Sequence, residues 1–177
     1  KAHISLVEEL IQIESQLDEV WLVVSPQNPF KSDSSLLKDE FRLELTKLAV
    51  KNKSKIKVSD VEFSLPKPSY TYITLQHLRK KHPDIEFVLI VGADNWKIFH
   101  TWKNYKEILS SHSVLVYPRK GSDTLSLPAH KNVKVLNTVF YDVSSTKIRH
   151  LLQQKEDVKA YLHPEVLDLI KKQKWYI

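Results

Sequence analysis

At 177 residues with a formal net charge of +6, the chain is long enough to bury one substantial core, and a single domain over residues 1–177 is the expectation. Hydrophobic residues at 42% and charged residues at 27% exclude disordered and fibrous classes, and the apolar runs at 20–24 and 87–91 are too short to cross a hydrocarbon core of about 30 Å as helices. The absence of cysteine excludes disulfides, thiolate metal sites and cysteine nucleophiles, so a cytoplasmic protein without membrane contact is expected.

Ile4, Val7, Leu10 and Ile11 recur with helical spacing, and residues 4–17 read as an amphipathic helix. Residues 19–25 read as a buried strand that ends in the turn SPQNP, followed by a helix over 36–51 with Leu37, Phe41, Leu45 and Leu48 on one face. Residues 55–63 are β-like and stop at LPKP, after which Ser69 can cap a helix carrying Ile73, Leu75 and Leu78 to His82. The segment 86–91 is the clearest strand and runs into GADN; one or two short helices over 96–109 follow. Strands at 113–117 and 133–136 flank a polar loop, and helices over 145–154 and 164–172 close the chain.

Short all-apolar strands separated by helices are the signature of a parallel sheet covered on both faces. The expected architecture is therefore α/β: a doubly wound, Rossmann-like parallel sheet with helices on both faces and small C-terminal helices. The basic stretches at 51–57, 79–82 and 171–174 sit at helix ends, where cations favour the negative end of the macrodipole. They are read as solvated surface, so the positive charge points to phosphorylated small molecules and not to nucleic acid. The eight histidines have no metal-ligand spacing, and His77, His82, His100 and His112 are expected at the surface.

In such sheets ligands bind beyond the carboxyl ends of the strands, which here are 25–31, 92–95, 118–121 and 142–149. In the last, Ser144-Ser145-Thr146-Lys147-Ile148-Arg149 sets small hydroxyls at a helix start with an arginine one turn on. Free N–H groups, hydroxyls, the positive helix end and a guanidinium suit a polyphosphate; an ordinary Ser/Thr cap beside a surface arginine is the plainer alternative. Arg119 and Lys31 follow strand ends, where either surface exposure or a phosphate contact accounts for a cation. Trp102 fits a core aromatic as well as a stacking platform, and Asp94 fits a helix cap.

The segment VSSTKIR closely resembles the ISSTxIR motif of the nucleotidyltransferases that make dinucleotide cofactors. SPQNPFK at 25–31, PSYTYITL at 68–75, VGADN at 91–95, Trp102, YPRKG at 117–121 and the closing segment 162–176 follow in the order of the nicotinate mononucleotide adenylyltransferase family. The resemblance implies transfer of AMP from ATP to nicotinate mononucleotide, giving nicotinate adenine dinucleotide and pyrophosphate in NAD biosynthesis. It implies Mg²⁺ carried with ATP and no metal ligand from protein side chains. Ser144, Ser145, Thr146, Ile148, Arg149, Asp94 and Arg119 are the implied ATP contacts, and Tyr70, Thr71, Trp102, Asn28 and Lys31 the implied nicotinate mononucleotide contacts.

Members of that family also carry a first strand ending in a GSFNPxHxGH-type loop, whose two histidines contact the triphosphate. This sequence begins at Lys1, has no methionine and only two glycines, against an average glycine usage of about 7%. A β-strand and a two-histidine loop ahead of Lys1 are therefore expected, and the catalytic histidines are not among these residues. Two other readings remain: a sister enzyme such as a phosphopantetheine adenylyltransferase, and a non-catalytic nucleotide-binding module. The sequence leaves oligomerisation open.

Overall fold

A computed structural model describes residues 1–26, 37–119, 130–139 and 144–176. The elements in chain order are α1 (Ala2–Ile13), β1 (Val20–Val23), α2 (Asp39–Val50), β2 (Ile56–Ser59), a 3₁₀ turn (Val61–Ser64) and α3 (Thr71–Lys81). They continue with β3 (Leu89–Gly92), α4 (Ala93–Lys97), a second 3₁₀ turn (Phe99–Thr101), α5 (Tyr105–Ser111), β4 (Val114–Tyr117), β5 (Val133–Val135), α6 (Ser145–Gln153) and α7 (Pro164–Gln173). Helices alternate with strands, and every strand pair among the described residues is parallel. The α/β class expected from the sequence is the one observed.

Two compact units divide the chain: Lys1–Ser25, Asp33–Val61 and Tyr141–Ile177 form the first, and Pro26–Ser32 and Glu62–Phe140 the second. In the first, β1 pairs with β2 from Val20↔Ile56 to Val23↔Ser59. Leu6, Val7 and Leu10 bury one stripe of α1, the spacing of a one-sided helix. Leu152 of α6 and Val166, Leu167 and Ile170 of α7 form an apolar cluster with Val158, against which Leu45 and Leu48 of α2 pack. Pro164 opens α7, where its missing N–H costs nothing.

In the second unit the sheet order is β3-β4-β5. Val114, Leu115 and Val116 of the central strand β4 are all buried, as a strand covered on both faces requires. Val91, Ala93, Trp96, Phe99 and Ile108 complete the core. Phe99 is its largest fully buried side chain, with ring centroids 4.8 Å from Trp96, 5.0 Å from Trp102 and 6.4 Å, edge-on, from Tyr105.

The strands are shorter than the apolar runs that announced them. Residues 55–63 do not continue as β: after Ser59 the chain tightens into the 3₁₀ turn, and the Val61 N–H donates to Ser59 Oγ at 3.3 Å. Pairing of β3 begins only at Leu89, whose N–H donates to the Ser113 carbonyl at 2.9 Å. The Phe87 carbonyl ahead of it is taken by His112 Nδ1 at 3.0 Å, so this histidine is a half-buried tie and not a free surface residue. Ser69 does not cap α3. The N-cap is Tyr70, in extended conformation, and Ser69 is buried with no partner for its hydroxyl among the described residues.

Phe99→Ala removes the ring that three aromatic neighbours enclose and should cost about 3–5 kcal/mol of unfolding free energy, read from chemical denaturation. A loss below about 1 kcal/mol would mean that the neighbours close the gap.

Candidate active site

At the end of β3, Gly92 is paired with Tyr117, the last residue of β4. A Cβ at Gly92 would run into the Asp94 carboxylate and lie 3.3 Å from both Cζ and Oη of Tyr117, so the absence of a side chain leaves room for that carboxylate beside the strand end. Gly92 is the N-cap of that helix. Asp94, expected from sequence as a possible cap, instead lies in the first turn, where a carboxylate complements the helix dipole.

Asp94 Oδ1 and Arg119 Nε are 3.6 Å apart, a distance of ionic attraction beyond hydrogen-bonding range. Arg119 also stands 5.7 Å from the centroid of the Tyr117 ring. Burial pushes the Tyr117 phenol above its ordinary range, with the Arg119 cation opposing and Asp94 reinforcing the shift. At neutral pH Tyr117 is therefore an uncharged hydroxyl. Two expected nucleotide contacts, Asp94 and Arg119, are thus brought together at the ends of β3 and β4.

The segment carrying Tyr70 and Thr71 is held from beneath. The Tyr70 carbonyl accepts from the N–H groups of Ile73 (2.9 Å) and Thr74 (3.2 Å), fixing the first turn of α3. Thr74 Oγ1 donates to Glu62 Oε1 at 2.7 Å and also stands 3.3 Å from the Tyr70 carbonyl. A hydroxyl has one proton, and the shorter bond, to Glu62, takes it. Glu62 and Thr74 are both buried, and Glu62 Oε2 has no partner among the described residues.

Trp102 follows the second 3₁₀ turn, its N–H donating to the Phe99 carbonyl at 3.0 Å, and its half-buried ring packs on the core. The next residue, Lys103, places Nζ 4.5 Å from the Tyr70 ring centroid. Sequence reasoning singled out neither Glu62 nor Lys103. Glu62 occupied an expected β-segment, where nothing local separates it from a solvated strand residue, and Lys103 is one lysine in a lysine-rich chain.

In the first unit, Ser144 is the N-cap of α6, and its Oγ accepts from the Lys147 N–H at 3.1 Å. Ser145, Thr146 and Lys147 are exposed, while Ile148 packs against the apolar cluster of α6 and α7. Arg149 is half-buried and donates from Nη2 to Thr146 Oγ1 at 3.2 Å. The cap alternative is therefore realised at Ser144, while the hydroxyls of Ser145 and Thr146 stay at the surface of the helix start. Asn28 and Lys31 lie outside the described residues, as do most of the expected polar loop and residues 140–143. Among the described residues no group of three or more His, Cys, Asp or Glu could hold a metal ion, and no helix is long and apolar enough to cross a membrane.

Residues 1–151 match the cytidylyltransferase-like family. The chain is 45% identical over 162 residues to a protein of Cytophaga hutchinsonii named probable nicotinate-nucleotide adenylyltransferase, spanning 92% of this chain and 84% of that one. This chain belongs to the nicotinate-nucleotide adenylyltransferase family. Relatives bearing the same name in Flavobacterium johnsoniae and Bacteroides fragilis are 42% and 43% identical over 164 residues, covering 85% and 81% of their own lengths and 92% and 93% of this chain. The Plasmodium falciparum nicotinic acid mononucleotide adenylyltransferase, solved in complex with NaAD, superposes with a TM-score of 0.79 at 22% identity, over 99% of this chain and 90% of that one. The family's Rossmann-like fold, expected from the strand and helix pattern, is the fold of this chain.

Thr74→Val keeps the shape of the side chain but leaves the buried Glu62 carboxylate without its donor. It should lower stability by about 1–3 kcal/mol in a denaturant titration, more than the same exchange at the exposed Thr101. Equal effects at the two positions would contradict a structural role for the Glu62 bond.

Proposed function

We propose that this protein is a nicotinate-nucleotide adenylyltransferase. A 5′-phosphate oxygen of nicotinate mononucleotide attacks the α-phosphorus of ATP, the bond from that phosphorus to the bridging oxygen breaks, and pyrophosphate leaves. Nicotinate adenine dinucleotide is the other product, and no covalent enzyme intermediate is required. Such transfers depend on in-line positioning and on neutralising charge at the bridging and leaving oxygens.

The observation that carries this reading is the start of α6 in a chain of this family. Ser144 uses its own hydroxyl to close the cap. The N–H groups of Ser145 and Thr146, which have no intrahelical acceptor, stay available together with the exposed hydroxyls of the same two residues. Arg149, one turn on and steadied by Thr146, adds a fork of donors suited to phosphate oxygens. We assign Ser144, Ser145, Thr146 and Arg149 to the ATP phosphates, with Ile148 anchoring the helix through the apolar cluster.

In the second unit we assign Asp94 and Arg119, at the ends of β3 and β4, to the nucleotide. Trp102 offers its indole face to the electron-poor pyridine ring, held at its angle by Phe99. The start of α3 at Tyr70 and Thr71 supplies N–H and hydroxyl donors to the nicotinate carboxylate. Lys31 and Asn28 are assigned to the mononucleotide on the resemblance alone. A Mg²⁺ ion carried with ATP would add positive charge beside the phosphates, and no protein side chain is assigned to hold it.

Full-length protein supplied with nicotinate mononucleotide and MgATP should release pyrophosphate, while phosphopantetheine should not support release. The reverse result would place the chain in the sister branch, and ATP binding without turnover of either would make it a binding module. Arg149→Ala should lower kcat/KM for ATP roughly 10- to 100-fold, the loss of charge-assisted phosphate bonds. Trp102→Ala should act on the other substrate, raising KM for nicotinate mononucleotide by about tenfold through lost stacking.

A further inference from the structure

We propose that the Lys103 side chain selects the acid over the amide, its ammonium pairing with the carboxylate of the nicotinate ring. The proposal rests on the adenylyltransferase reading and adds a charged determinant to the donors of the α3 start. Lys103 directly follows Trp102, the residue assigned to the pyridine ring, and its Nζ is held 4.5 Å from the centroid of Tyr70, the N-cap of α3. One cation therefore bridges the two segments assigned to the pyridine end of the substrate.

The charge of that cation is not neutralised in the structure. The Tyr70 ring attracts it through its quadrupole but carries no net charge. Glu107, the acid nearest to it in sequence, accepts instead from Asn104 Nδ2 at 3.1 Å, and among the described residues no carboxylate pairs with Lys103. The first N–H groups of α3 face the same N-cap, and the positive helix end adds to the field there. An aromatic ring bearing a carboxylate gains a charge-assisted bond from this arrangement, whereas the carboxamide of a nicotinamide nucleotide is neutral and gains little. Lys103 is exposed, and its four-carbon stem has the reach to bring the ammonium from the ring to an anion without moving the backbone.

The test compares kcat/KM for nicotinate mononucleotide and nicotinamide mononucleotide in the wild type, Lys103→Gln and Lys103→Arg, together with calorimetric binding of both mononucleotides. Lys103→Gln should lower the acid-to-amide ratio of kcat/KM, and of affinity, roughly 10- to 100-fold. Lys103→Arg, which keeps the charge, should hold the ratio within about threefold of wild type. A ratio unchanged in Lys103→Gln, or a parallel fall on both substrates, overturns the proposal in favour of a merely structural lysine. Wild-type protein that binds both mononucleotides but turns over neither would sink the adenylyltransferase reading, and the binding ratio would then decide for or against Lys103 by itself. Wild-type protein that binds neither overturns both.

Discussion

The parallel pairing of β3 with β4 is the constraint on which the second unit depends. Its register sets Gly92 opposite Tyr117, and everything chemically notable at that end of the sheet follows from the pair. The lack of a side chain at Gly92 leaves room for the Tyr117 ring and for the Asp94 carboxylate to fold back. Asp94 then stands 3.6 Å from Arg119, two residues past the paired tyrosine. A shift of one residue would turn every side chain of the strand to the other face, and the fully buried run Val114 to Val116 makes such a shift prohibitively costly.

Around that sheet, polar and aromatic supports hold the remaining residues in fixed attitudes. The buried Glu62 carboxylate ties Thr74 and through it the first turn of α3, so Tyr70 and Thr71 begin the helix at a defined point. Phe99, enclosed by Trp96, Trp102 and Tyr105, does the same for the Trp102 indole. The groups we assign to the substrate are in both cases seated on buried supports, and such seating limits the entropy lost on binding. The first unit uses a comparable device: Ile148 is packed inward while Ser145 and Thr146, on the same turn, stay at the surface.

Much of this was legible in the sequence because its signals are local. Apolar runs at 20–24 and 113–117 marked strands, the helical spacing of Ile4, Val7, Leu10 and Ile11 marked α1, and the hydroxyl triplet before Ile148 marked the start of α6. Strand ends were not legible, since they depend on pairing: residues 60–63 look β-like yet turn once Ser59 Oγ captures the Val61 N–H. The cap of α3 was misjudged by one residue because Ser69, the better capping type, is buried, and Tyr70 takes the position. Glu62, His112 and Lys103 were invisible for a related reason, as each acts through a partner at least 12 residues away in sequence. Asn28 and Lys31 were read from sequence and lie outside the described residues.

We assign Asp94 and Arg119 to the nucleotide on the strength of the β3–β4 register, by way of the space left at Gly92. Steady-state turnover of full-length Gly92→Ala tests that assignment most directly, because the added methyl group collides with the flexible end of Asp94 and forces that carboxylate away from Arg119. The account predicts a stability within about 1 kcal/mol of the parent and a kcat/KM for ATP lowered at least about tenfold. A Gly92→Ala protein that is equally stable and fully active would contradict it.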